Sequence, residues 1–344
     1  MSKASGVKWV AMGSSSRLPE ATLNLIQECA RQLRITGELG DLLEYINATG
    51  QLPLSNFDES ERAIRDAALF SGRWSSTLSR LVRPHQHPFV IGWLDITNGS
   101  GYTREHALKV LDEAAPNAYL MVLLLRRLND WVAQVRGAAH EAVERVADKS
   151  SASLIANALW AIFPHQYSWK RLDPKGRTIL DGLAGRSDIA AGLAQKIGTA
   201  TSGRASFVLR QAARTPCLDP YLPHLAHNAA QPSVRARAYR MLFEAEAKWQ
   251  GDWGWKWIDK SLGQRARVPV IEHRPIRVEA DFSSLLKSAA MDRSVFVRRV
   301  AGDAAVSNRE ILSADDMSLV RLLSKDKYGS VSERAEFVLR NRQN

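Results

Sequence analysis

The stretch Asp130-Trp131-Val132-Ala133-Gln134-Val135-Arg136-Gly137-Ala138-Ala139-His140-Glu141-Ala142-Val143 decides the fold class of this chain. It opens on a turn-forming acid. Its apolar residues Val132, Val135, Ala139, Ala142 and Val143 then recur at three- and four-residue intervals, the period of an amphipathic helix. The same order of turn, basic residue and helically spaced small and large apolar residues returns at Gly101–Leu111, Pro232–Leu242, Asp292–Ala301 and Gly329–Leu339. The basic residue recurs at Arg104, Arg136, Arg235, Arg298 and Arg334. Arg104 to Arg136 spans 32 residues (136 − 104) and Arg298 to Arg334 spans 36 (334 − 298), while Arg235 to Arg298 spans 63 (298 − 235), which reads as two such units. Weaker copies start at Arg177 and Arg204. Periods of about this length with two helices per unit mark helical repeats, because one hairpin cannot bury both of its apolar stripes alone. The expected fold is all-α: an α-solenoid of stacked antiparallel helical hairpins with one irregular insertion. Val135, Ala139, Val234, Ala238, Val297 and Ala301 are expected to be buried, with alanine allowing close helix approach.

The pattern Val-Arg-x-x-Ala behind a turn residue, best seen around Val132–Ala139, Ser233–Ala238 and Ser294–Arg298, resembles HEAT repeats, and the resemblance runs from Phe89 to Asn344. It implies that the turn residue caps the second helix, that the valine packs into the hairpin, and that the arginine bridges neighbouring repeats. Asp130 with Arg136, and Asp292 with Arg298, match that logic; the Pro232 unit has no acid at its turn. The resemblance implies binding rather than chemistry.

Residues 1–88 are less regular and read as an N-terminal helical region of capping or degenerate repeats, followed by the array over 89–344. Helices are expected over Pro19–Arg34 with Gly37 as the stop, Asp41–Ala48, Ser60–Phe70 and Trp74–Val82, before a break at Pro84–Pro88. No apolar run reaches the roughly 20 residues of a membrane span, and Val7–Met12 is too short for a secretory core. Two cysteines, Cys29 and Cys217, exclude a CxxC zinc site and argue against a disulfide framework, so a reduced, cytoplasmic protein is expected.

The segment 249–281 breaks the repeat. Trp249, Trp253, Trp255 and Trp257 crowd its start, and Arg265, Arg267, Arg274 and Arg277 follow around Pro269 and Pro275. Two prolines and many β-branched residues rule out a regular helix and predict an extended loop or small β excursion. In an extended chain Trp253, Trp255 and Trp257 share a face. Trp253 and Trp257 are expected to anchor the excursion in the core and leave Val268–Val278 exposed. On that reading, replacing residues 264–278 with a short linker leaves the fold intact.

No P-loop, GxGxxG, GxSxG, HExxH or CxxC pair is present, so the sequence offers no catalytic residue and no cofactor. His85 with His87, and His224 with His227, lack the further ligands a metal needs, and no metal site is expected. The net charge of +11 favours an anionic partner. Arg127 and Arg237 have no acid at i±4, and with Arg299 they are candidates for a basic stripe. Trp253, Trp255, Lys256, Arg265, Arg267, Arg274 and Arg277 are candidates for an aromatic and cationic platform. The leading functional expectation is a non-catalytic scaffold or adaptor for a protein partner, and the alternative is a nucleic-acid-binding solenoid. A third is a DNA glycosylase of the HEAT-like alkylpurine class, with Asp130-Trp131 and Asp252-Trp253 as rings beside acids and no catalytic role transferred.

Overall fold

The computed structural model describes residues 19–71, 88–166 and 168–341 of the chain. The expected Trp74–Val82 helix and the His85/His87 loop lie outside them, as does the extreme N-terminus. The described chain is mostly helical and divides into two compact units, Met1–Val146 and Ala147–Asn344. No helix among the described residues is long and apolar enough to cross a membrane.

The first unit holds α1 (Glu20–Thr36), α2 (Leu39–Gly50), α3 (Phe57–Ser71), α4 (Pro88–Asp95), α5 (Gly101–Val110) and α6 (Ala118–Arg126); α7 (Ala133–Lys149) runs through its end. The sequence signals act where expected. Ile26, Ala30 and Leu33 form the buried stripe of α1, and Gly37 ends it in the left-handed region, φ 66°, donating to the Leu33 carbonyl at 2.9 Å. α1 packs on α2 and α3, and α6 packs on α2 and α3. The apolar run of α6 is buried from Tyr119 to Leu125.

The second unit holds α8 (Ala152–Gln166), α9 (Pro174–Gly185), α10 (Ser187–Thr199), α11 (Ala205–Ala212), α12 (Leu222–Asn228), α13 (Pro232–Glu244), α14 (Phe282–Ala290), α15 (Val295–Ser307), α16 (Ala314–Leu323) and α17 (Gly329–Asn341). Helices α11, α13, α15 and α17 pack successively on one another, and α12, α14 and α16 each pair with the helix that follows. Val135, Ala139, Val234, Ala238, Val297 and Ala301 are all fully buried.

Four of the five repeat arginines share one geometry. Arg104, Arg136, Arg235 and Arg298 each donate through Nη1 to the carbonyl six residues earlier: Asn98, Asp130, Ala229 and Asp292. The acid side chains are taken by the preceding arginine instead. Arg104 grips Asp130 at 3.0 and 2.8 Å, Arg235 grips Asp292 at 2.8 and 2.9 Å, and Arg298 grips Asp326 at 2.5 and 3.3 Å. Each acid also accepts the N–H two residues on, at Val132, Ser294 and Tyr328, which fixes its turn. The arginine-to-acid separations are 26, 57 and 28 residues. Excising the 30 residues from Glu246 to Pro275 reduces 57 to 27. The 63-residue spacing from Arg235 to Arg298 is therefore one unit carrying an insertion, not two units.

That insertion is an antiparallel pair, β1 (Glu246–Asp259) and β2 (Gln264–Pro275). Ala245, at φ 50°, ends α13, and its carbonyl accepts from Ile276 at 2.8 Å, closing the root of the hairpin. At the tip the Asp259 carboxylate accepts the Ser261 and Leu262 N–H groups, and Gly263 takes the left-handed φ of 65° that the turn demands. Both strands are edges, so Pro269 costs no essential ladder bond.

Candidate binding hairpin and the cleft at its root

Register decides what the hairpin displays. Trp249 lies opposite Glu272 and Gln250 opposite Ile271, but Trp253 lies opposite Pro269, so β1 carries one extra residue between Gln250 and Trp253. Such a bulge reverses the alternation of faces. Ala247 and Trp249 therefore face one way, and Trp253, Trp255 and Trp257 face the other. Trp249 is 9% exposed. Its Nε1 donates to Glu272 at 2.6 Å, and the Arg214 guanidinium lies over its ring at 5.5 Å. Trp253, Trp255 and Trp257 are 49%, 62% and 51% exposed. The expectation that Trp253 and Trp257 are buried anchors is thus overturned; the bulge gives that role to Trp249.

The exposed rings meet cations across the strands. Arg265 stacks over Trp255 at 4.5 Å, and Arg267 lies over Trp253 at 5.8 Å. Each guanidinium sits diagonally, because Trp255 is paired with Arg267 and Trp257 with Arg265. Lys256 and Lys260 are also exposed, Lys256 on the opposite face. Among the described residues no carboxylate forms an ion pair with Lys256, Lys260, Arg265 or Arg267.

Arg274 and Arg277 play other parts. Arg274 is sunk against the helices, holding both oxygens of Asp219 at 2.9 and 2.6 Å while donating to the Ala213 and Thr215 carbonyls. The Asp219 side chain is 1% exposed. Arg277 is exposed and meets the same acid through its backbone N–H at 2.9 Å. The arm is therefore not wholly free, and a replacement spanning 264–278 removes a buried ion pair.

Arg127 is also not a surface cation. It is buried, bonded to Glu61 at 2.5 Å and Asp130 at 3.2 Å, and burial lowers its pKa despite Asp130. The reason lies outside the i±4 positions: one acid is at i+3 and the other 66 residues away. Asp130, gripped by Arg104 and Arg127, is committed to the fold. Arg237 and Arg299 do converge, in a groove of about 260 Å³ with Ser206, Ser233 and Phe296. Arg237 donates to Ser206 at 2.8 Å, and burial, with Arg210 and Arg240 adding repulsion, lowers its pKa to about 10. Arg299 is exposed. Neighbouring Arg240 and Lys248 are engaged by Glu244.

At the root of the hairpin a larger cleft, about 810 Å³, is lined by Gln166, Trp169, Lys170, Gln250, Trp253 and Arg267, among others. The sequence reading missed Gln166, Trp169 and Gln250, which carry no motif and meet only in the fold. Nearby, Asp181 lies 3.4 Å from Arg214; burial raises its pKa to about 6, Glu272 adds to the rise, and Arg214 and Arg177 only partly offset it. His224 and His227 are spent on local contacts, with Asn228 and the Pro223 carbonyl. No group of three or more metal-binding side chains occurs among the described residues. No protein-family model, curated protein or solved structure matches the chain.

Proposed function

We propose that the chain is a non-catalytic, HEAT-like helical-repeat binding protein whose hairpin holds a single-stranded nucleic acid. The observation that carries this reading is the ladder of Trp253, Trp255 and Trp257, each about half exposed on one face, with Arg265 and Arg267 stacked on two of the rings and no acid among the described residues paired to them. Indole rings left in water forgo burial worth a few kcal/mol each, and an exposed aromatic patch marks an interaction surface. Rings that stack bases, interleaved with cations that meet phosphates, are the chemistry of sequence-tolerant single-strand binding. The succession α11, α13, α15, α17 with its arginine-to-acid links supports the stacked-hairpin reading of the second unit.

A second reading, an acidic protein segment, is favoured by the groove in which Arg237 and Arg299 adjoin Phe296. The two separate in one experiment: fluorescence anisotropy with labelled oligonucleotides and an acidic peptide. For nucleic acid, contacts from Lys260, Arg265 and Arg267 give a slope of log K against log salt of about −2.1 on a single strand. Trp255→Ala should cost about 1–3 kcal/mol of binding and leave the fold unchanged. Oligonucleotide affinity that ignores both salt and Trp255→Ala refutes the hairpin reading. Peptide binding lost on Arg237→Glu with Arg299→Glu establishes the second.

A further inference from the structure

The cleft at the hairpin root contains a polar group that the fold leaves without a partner. Gln166 ends α8 and is 7% exposed, yet neither its Oε1 nor its Nε2 bonds to any group among the described residues. Gln250, on β1, likewise presents a buried Nε2 without a protein partner. Leaving a desolvated amide unpaired is destabilising, whereas an apolar side chain of the same shape carries no such cost. Such a residue is best explained by something that enters the cleft and bonds to it.

The other lining residues indicate what that is. Trp169, 9% exposed, and Trp253 bring two indoles to the cleft, and the exposed Lys170 and Arg267 bring two cations. A glutamine amide offers one donor and one acceptor side by side, matching the paired donor and acceptor on a nucleobase edge. Indole faces stack on a base and cations meet its phosphate. The volume, about 810 Å³, lies within the range of small-ligand sites. Trp253 and Arg267 belong both to the exposed ladder and to the cleft, so the ladder leads into it.

We propose that this cleft holds one nucleotide, its base edge bonded to Gln166, its ring against Trp169 and Trp253, and its phosphate beside Lys170 and Arg267. The nucleotide is one unit of the strand carried by the ladder, so the inference rests on the single-strand reading, although its test does not. The full chain is titrated calorimetrically with AMP, GMP, CMP and UMP, and in parallel with inorganic phosphate and ribose 5-phosphate, which lack a base. At least one mononucleotide should bind. Gln166→Leu should weaken it tenfold or more while thermal stability stays level or rises. Gln166→Glu, which keeps the shape but loses the NH2, is the second variant and should also weaken binding.

No binding of any mononucleotide overturns the proposal, as does equal binding of phosphate or ribose 5-phosphate, or an affinity unchanged in both variants. The two readings fail separately. Oligonucleotide binding that needs Trp255 but is indifferent to Gln166, with no mononucleotide bound, sinks the cleft alone. Mononucleotide binding lost in Gln166→Leu, with oligonucleotide affinity untouched by Trp255→Ala, sinks the hairpin reading alone.

Discussion

Arg274→Met separates the arginines of the inserted hairpin by function. In the sequence Arg265, Arg267 and Arg274 look alike, but Arg274 alone has a buried carboxylate partner. Methionine preserves much of the apolar stem and deletes four strong contacts: two to Asp219, at 2.9 and 2.6 Å, and two to the Ala213 and Thr215 carbonyls, at 2.9 and 2.6 Å. Removing one partner of a buried pair costs about 3–5 kcal/mol, mostly the penalty of the charge left behind. Asp219 keeps the Arg277 N–H at 2.9 Å, which places the expected loss toward the lower end of that range. The assay is urea unfolding followed by far-ultraviolet circular dichroism, with the denaturant slope checked for constancy. Arg265→Met, which removes an exposed cation, should stay within about 0.5 kcal/mol of wild type. Asp219→Asn should cost far less in the Arg274→Met background than alone, because the charge it removes is already stranded. A loss below about 1 kcal/mol for Arg274→Met, or additive behaviour in that cycle, would refute the anchoring role. The same reasoning bears on deletions: replacing 264–278 should unfold the second unit, whereas trimming only the distal part between Trp253 and Pro269 spares Trp249, Glu272 and Arg274.

Ala139→Asp places a carboxylate at a fully buried helix contact and should cost several kcal/mol, about 3–5; a melting temperature within a degree or two of wild type refutes the packing. Asp181 predicts a pH effect of definite sign. Its folded pKa, about 6, lies above the ordinary 3.8, so between these values the folded state holds the extra proton and stability falls as pH rises through that window. The loss is about 3 kcal/mol when complete. Asp181→Asn should flatten that part of the stability–pH curve, and an unchanged curve in urea titrations from pH 4 to 7 refutes the assignment.

Most of the helical architecture was legible in the sequence, because helix signals are local. The stripe Ile26, Ala30, Leu33 with Gly37 behind it specifies α1 within one segment, and Val135 with Ala139, or Val297 with Ala301, mark their buried faces by spacing alone. The two prolines and alternating tryptophans marked the inserted segment as non-helical for equally local reasons. The arginine spacings were visible too, but the 63-residue interval could be divided only once the hairpin was seen to fill 30 of its residues.

Tertiary structure decided everything that depended on distant partners or on parity. Arg127 finds Glu61 from 66 positions away and Arg274 finds Asp219 from 55, distances at which sequence spacing carries no information. One extra residue after Gln250 turns Trp249 inward and Trp253, Trp255 and Trp257 outward, and a strand's two-residue period makes such a slip reverse every later side chain. Gln166, Trp169 and Gln250 form no motif because they come from a helix end, a turn and a strand. The sequence determined where helices begin, end and bury themselves, since those are properties of neighbouring residues; which charges are consumed by the fold, and which rings and amides remain to meet a ligand, was fixed only when remote segments came together.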